Sequence, residues 1–377
     1  MVDSAALRFV PSAGLSLGVE LELQLVDRVS RDLFPAAPQV LNRVAGATRN
    51  IKPEFFRSMI EVSTGVCANA AEARRDLEQE LALLRPICQE MGLALVSAGS
   101  HPFARHRDRL VYPDARYEAL IDRNRWVARR FQVFGMHVHV GMRTPEHAAA
   151  IYNGILPYLP HALALSASSP FWQGGDTGLA SCRVTVYETL PTAGHPCMFR
   201  NWAEFEELYR GMVASGAIRS IKDIWWDLRP HPDYGTVEVR ICDALPRLSE
   251  VIAVVALLHS LAAWLDEQYR DGRRFDPPPY WLLRENKWRA LRWGLEAELV
   301  LDASGRSQPL REAAAELISR LEPAAGELGC SAELRQAAAM LDAVPSYQRQ
   351  RDVFQKTGSL EEVVDTLVQE LETEEAS

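Results

Sequence analysis

Apolar and polar residues alternate with period two in seven stretches of the chain. These are SLGVELELQLVD (16–27), RSMIEVST (57–64), GLALVSAG (92–99), QVFGMHVHVGM (132–142), CRVTVYETL (182–190), DIWWDLRP (223–230) and GTVEVRIC (235–242). In an extended chain that period sends successive side chains to opposite faces, so each stretch is predicted to be a strand with one apolar face. Helical spacing separates them. AAEARRDLEQELALLRPICQEMG (70–92) has Asn69 as a candidate N-cap and Gly92 as a stop, and PEHAAAIYNGILPYLPHALALSASS (145–169) begins with proline in its first turn. From Leu245 onward the pattern is almost wholly helical, broken at GRRFDPPPY (272–280). Clean alternation suits an antiparallel sheet with one face on helices and the other open. The turn Pro232-Asp233-Tyr234-Gly235 reads as a hairpin of that kind. An α+β fold is therefore expected, with a strand-rich part over about 15–245 and a helical part over 246–377, forming one catalytic domain over 1–377.

The polar positions of these strands are not those of an ordinary solvated face. Leu17, Val19, Leu21, Leu23 and Leu25 alternate with Gly18, Glu20, Glu22 and Gln24; Ile60 and Val62 alternate with Glu61 and Ser63; Val237, Val239 and Ile241 alternate with Glu238 and Arg240. His137 and His139 share one face of their strand, opposite Met136, Val138 and Val140. A solvated face mixes both signs of charge, whereas here acids stand near the strand centres with no lysine beside them. If the strands are neighbours, the carboxylates repel unless a cation sits among them. Oxygen-rich ligation with a single imidazole suits Mg²⁺ or Mn²⁺ better than structural zinc, and such a cluster characteristically holds nucleotide phosphates. Arg240 would then neutralise charge on a transferring phosphoryl group. The residues also leave open a zinc-dependent hydrolase using His-x-His, a guanidino-type phosphotransferase, and a nucleotide-binding sensor without turnover.

Composition narrows the partners. Among 377 residues, 41 Lys and Arg against 50 Asp and Glu give a net charge of −9, which argues against nucleic acid and against an anionic membrane surface. Small molecules are the expected partners. Six cysteines without a Cys-x-x-Cys pair suit free thiols in a reducing cytoplasm. The first residues lack a basic region followed by a long apolar run, no uninterrupted apolar run reaches the length of a membrane span, and neither a P-loop nor a Gly-x-Gly-x-x-Gly turn is present. The acidic end ETEEAS (372–377) is expected to fray. Three weaker candidates complete the reading. Arg183, on a predicted strand after the loop QGGDTG, is a candidate for a substrate carboxylate; PTAGHP (191–196) is a candidate for the substrate mouth; and one of Trp225 and Trp226 is a candidate pocket wall.

GVELELQLVD, the Glu61 strand, GMHVHVG, DTGLASCRVTVYETLPTAG, IKDIWWDLRPHPDYGTVEVRICD, RENKWRALRWGLE and SYQRQRDVF, in that order, resemble the signatures of the glutamate-cysteine ligase type 2 family, in its bacterial carboxylate-amine ligase branch. The resemblance implies a glutamine-synthetase-like catalytic fold, also shared with guanidino kinases: an antiparallel saddle-shaped sheet of about six strands with helices on one face, binding ATP and Mg²⁺ in the saddle. It implies attack of an amine on an acyl phosphate to give an amide, with a glutamate-like carboxylate and a cysteine-like amine as substrates. Carried over by position, Glu20, Glu22, Glu61, His137 and Glu238 match metal ligands, Arg240 matches the γ-phosphate arginine, and His139 sits beside the nucleotide phosphates. Glu238 and Arg240 are then the catalytic pair. Which of the two histidines touches metal stays open, as do the physiological substrates and the oligomeric state.

Overall fold

The longest alternating stretch becomes the centre of the main sheet. The computed structural model describes residues 7–373, so residues 374–377 of the predicted acidic tail lie outside the described residues. Seven strands form the sheet: β1 (Leu17–Asp27), β2 (Ile51–Pro53), β3 (Met59–Ser63), β4 (Leu93–Val96), β5 (Met136–Gly141), β6 (Leu228–His231) and β7 (Thr236–Val239). Their order is β6-β7-β5-β1-β3-β2, with β4 added on β1, and every pairing is antiparallel. The hairpin β6–β7 turns through residues 232–235 as its sequence predicts, with Gly235 at φ +61°, a left-handed conformation that a side chain would strain. Any Cβ there would also collide with the main chain at Val10.

The helices used below are α1 (Ala70–Glu90), α2 (Ala115–Asn124), α3 (Pro145–Ile155), α4 (Leu159–Ser166), α5 (Arg183–Tyr187), α6 (Leu248–Arg270), α7 (Tyr280–Trp293), α8 (Leu310–Leu328) and α9 (Ser331–Asp342). Asn69 caps α1, its side chain accepting the Glu72 N–H at 3.0 Å, and Gly92 follows the helix at φ +70°. The apolar rows of the sheet face helices: α1 packs on β1, α6 on β5, and α3 on β6 and β7. In length and composition α6 could cross a bilayer. The structure instead buries it among α1, α3, α8 and α9.

Three expectations need correcting. CRVTVYETL is a short helix, α5, rather than a strand: the N–H groups of Val186 and Glu188 close on the carbonyls of Cys182 and Val184, and both sides of the segment are buried. With no exposed face, alternation of side chains had no sheet to report on, and packing overrode the β propensity of its Val and Thr. DIWWDLRP divides at Asp227, with Trp225–Trp226 pairing in parallel with Ala193–Gly194 while Leu228–His231 joins the main sheet. Strand β2, three residues ending in proline, is too short to show a period, and it brings Lys52 opposite Glu61. A lysine therefore does accompany the acids.

Leu21 is fully buried on the apolar side of β1. Leu21→Ala is expected to lower the unfolding free energy by about 2–5 kcal/mol, read from urea denaturation. An unchanged midpoint would contradict the placement of that row in the core.

Candidate active site

Strand register assembles the polar face. Across β1, Glu20 stands opposite His137 and Glu22 opposite Glu61, while His139 stands opposite Glu238 on β7. His137 Nδ1 lies 3.1 Å from Glu20 Oε2, and His139 Nδ1 lies 2.9 Å from the Thr236 hydroxyl. The Nε2 atoms of both imidazoles are sealed from solvent without a hydrogen-bond partner among the described residues. That of His137 is 3.8 Å from Glu22 Oε1, and that of His139 is 3.7 Å from both Glu20 and Glu238. Glu20, His137 and Glu238 each offer a ligand atom within 4.8 Å of the others.

Three members of this face escaped the sequence reading. Arg229 donates from Nε to Glu238 Oε2 at 2.6 Å and from its terminal nitrogen to the carbonyls of Ile221 and Ile224. Its position was available by counting back from the hairpin turn, since a turn at 232–235 sets Arg229 opposite Glu238. Lys52, 3.4 Å from Glu61, and Glu54 beside it follow a strand too short to assign them a face.

Burial and charge set the protonation of the cluster. Burial pushes the carboxyls of Glu22 and Glu54 up to about 7 and that of Glu61 to about 8, with Glu20 and Glu54 adding repulsion at Glu61 and Lys52 opposing it. Glu20 and Glu238 go the other way. Their burial is outweighed for Glu20 by His137 and His139, and for Glu238 by Arg229 and Arg240, so both are held well below the usual carboxylate range. Burial, with Arg240 nearby, pushes His137 down to about 4, leaving a neutral imidazole with a free lone pair. At His139 the carboxylates of Glu238 and Glu20 outweigh burial and raise it.

This face is the floor of a cavity of 620 Å³. Phe55, Tyr117, Phe131 and Trp225 contribute aromatic wall, while Trp226 turns the other way and is buried. Arg116 and Arg123 on α2 and Arg219 and Lys222 near the hairpin also line it, and none has an ion-pair partner among the described residues. Of the PTAGHP loop, Pro191 and Thr192 reach the cavity. Arg183 does not line it. Its guanidinium is buried against Gly135, where a side chain would overlap it and where its charge lowers the Glu22 carboxyl, and donates to the carbonyls of Arg240 at 3.2 Å and Ile241 at 3.3 Å. Its candidacy for a substrate carboxylate rested on a strand that is in fact α5.

The donor set fits a hard divalent cation: carboxylate oxygens dominate, one imidazole is neutral, two imidazole nitrogens lack partners, and burial raises three carboxyls whose charge a bound cation would stabilise.

Comparison with known proteins agrees with this geometry. The model of glutamate-cysteine ligase family 2 (GCS2) matches residues 16–366. A Bdellovibrio bacteriovorus protein is 45% identical over 367 residues, covering 97% of each chain, and one from Gloeobacter violaceus is 43% identical over 361 residues, covering 94% of this chain and 96% of its own. Both bear the name "Putative glutamate--cysteine ligase 2". Among solved structures, glutamate–cysteine ligase from Francisella tularensis in complex with AMP superposes with a TM-score of 0.74 at 12% identity, covering 98% of this chain and 91% of that one. A bifunctional glutathione synthetase from Pasteurella multocida gives 0.69 at 16% identity, covering 95% and 52%. At such low identity these two show a common fold. The chain belongs to glutamate-cysteine ligase family 2, and is a ligase of the carboxylate–amine class.

Proposed function

We propose that this enzyme uses ATP to convert a carboxylate to an acyl phosphate, which an amine then attacks to form an amide, releasing ADP and phosphate. The convergence of Glu20, His137 and Glu238 beside Arg240 on the cavity floor carries the reading. A carboxylate is a poor electrophile, and phosphorylation supplies the leaving group it lacks. Reaching that state requires the triphosphate and the substrate carboxylate to meet in one place. Mg²⁺ or Mn²⁺, when bound, would neutralise phosphate charge and stabilise the transferring group. Glu20, Glu22, Glu61, His137 and Glu238 are proposed to hold the cations, with Glu54 joining from the same wall. Arg240 faces the γ-phosphate, held in place by its ion pair with Glu238, and His139 flanks the nucleotide phosphates. The names of the relatives make a glutamate-like carboxylate and a cysteine-like amine the first substrates to test. We place the enzyme in the cytoplasm, in keeping with six free cysteines, and read the chain as one catalytic domain because a single apolar cluster runs from Leu17 to Leu371.

ADP release with Mg-ATP, measured across carboxylates and amines with mass detection of the product, tests the reaction. An amide is expected only when both partners are present; ADP without amide would overturn the ligase chemistry. Glu238→Gln is expected to reduce ADP formation by at least about 100-fold with the fold intact by circular dichroism. Arg240→Ala should lower kcat far more than ATP affinity, and equal losses in the two would contradict its role at the transferring phosphate.

The raised carboxyls predict a pH dependence. Glu22, Glu54 and Glu61 hold protons more tightly folded than unfolded, where the ordinary value is 4.5. Stability is thus present at low pH and is lost as pH climbs through the interval up to the folded values of about 7 to 8. Because buried histidines held at about 4 pull the other way below about 6.5, the carboxyl effect is read as a difference: metal-free Glu61→Gln is expected to gain in Tm over the wild type as pH is raised from about 5 to 8, and added Mg²⁺ to narrow that gain while releasing protons near neutrality. A wild-type Tm that instead gains on the variant across the same interval would refute the charge assignment.

A further inference from the structure

Two family signatures, DTGLASCRVTVYETLPTAG and RENKWRALRWGLE, supply the cavity with only Pro191 and Thr192, yet each holds a buried charged residue, Arg183 in the first and Lys287 in the second. Arg240 lies one residue beyond the end of β7, where the ladder with β6 has stopped at the pair Leu228–Val239. Other contacts secure its main chain. Its N–H donates to the carbonyl of Asp227 at 2.8 Å, and its own carbonyl accepts from the Arg183 guanidinium at 3.2 Å. Asp227, fully buried, sits at the bend that divides the Trp225–Trp226 segment from β6. Its carboxylate accepts a hydrogen bond from Lys287 Nζ at 2.7 Å and another from the Tyr187 hydroxyl. Lys287 is itself only 4% exposed and also contacts Glu188. Arg183 and Tyr187 stand four residues apart on α5, and so act from one helix face.

We propose that Arg183 and Lys287 are positioning residues that brace Arg240, fixing its main chain from both sides so that its guanidinium faces the cavity floor. The proposal rests on the ligase reading of Arg240 given above. An unpaired carboxylate at a fully buried bend is strongly disfavoured. Removing Lys287 would therefore make Asp227 turn toward water or another cation, and the carbonyl that holds the Arg240 N–H moves with it. Neither brace residue lines the cavity. Lys287 therefore acts on catalysis through Arg240, whereas Arg183 also bears on Glu22 by its charge, so the test is made at Lys287.

A double-mutant cycle tests this on the full-length enzyme, with kcat for ADP release read at saturating Mg-ATP, glutamate and cysteine. Lys287→Met is expected to lower kcat by about 10- to 100-fold with the KM for ATP changed by less than about twofold, because the geometry at the phosphate is lost while nucleotide contacts remain. In an Arg240→Lys background the same substitution is expected to have no further effect on kcat, and Lys287→Arg to restore most of the wild-type rate. Multiplicative losses from Lys287→Met and Arg240→Lys would overturn the brace while leaving the ligase reading intact. Wild-type ADP release by Arg240→Lys would overturn the role of Arg240, and the brace with it. Should Lys287→Met fail to fold, Tyr187→Phe removes one hydrogen bond on Asp227 and keeps the charges. Its expected loss of about threefold should likewise vanish beside Arg240→Lys, and persistence of that loss overturns the proposal.

Discussion

Mutual repulsion among carboxylates on one buried face governs this molecule. Glu20, Glu22, Glu54 and Glu61 line the same cavity, and Glu22 and Glu61 are direct cross-strand partners. Like charges so placed are destabilising in any sheet, and burial makes them more so. The chain accepts that cost because the face is built to receive positive charge. Without it the acids answer by holding protons, as the upward displacement of Glu22, Glu54 and Glu61 records. The same feature that weakens the protein alone suits the face to the cations, and through them the phosphates, of the proposed reaction.

The opposite side of the sheet makes that tension tolerable. Leucines from 17 to 25 on β1, with Met136, Val138 and Val140 on β5, are buried against long helices, so the backbone that presents the acids cannot relax by shifting register. A slip of one residue would drive the carboxylates into the core and the leucines into the cavity. Glu238 shows a second way of managing charge. It is fully buried yet held ionised by Arg229, whose guanidinium also donates to backbone carbonyls, and by Arg240, whose main-chain N–H is held by Asp227. One part of the floor is thus internally neutralised while its neighbour is not, and the imbalance gives the site its direction.

Most of this floor was legible in the sequence because period-two alternation reports directly on faces. Glu20, Glu22, Glu61, His137, His139, Glu238 and Arg240 all stand where their strands predict, on one side of one sheet. Alternation cannot report on segments buried all round or too short to repeat. Arg183 was misplaced for the first reason: α5 is buried on both sides, so its pattern carried no information about a sheet. Lys52 and Glu54 were missed for the second. The signature around Lys287 was noticed only as resemblance, because the partner that explains it, Asp227, is 60 residues away in sequence and meets it only in the fold.

The cavity contains two populations of cations that differ in kind. Arg229 and Arg240 are both locked to Glu238, Arg229 also to backbone carbonyls, and so are preorganised for one fixed geometry. Arg116, Arg123, Arg219 and Lys222 are exposed at the walls without ion-pair partners among the described residues, on α2 and on the turn before the hairpin. Locked cations suit the step that every substrate shares, since their geometry costs no reorganisation during reaction. Unpartnered cations on peripheral elements can meet carboxylates of different shape, and substitutions there leave the sheet undisturbed. On the proposed reaction, the fold would separate phosphate chemistry, written into strand register, from the choice of acid and amine, written into wall residues that can change independently.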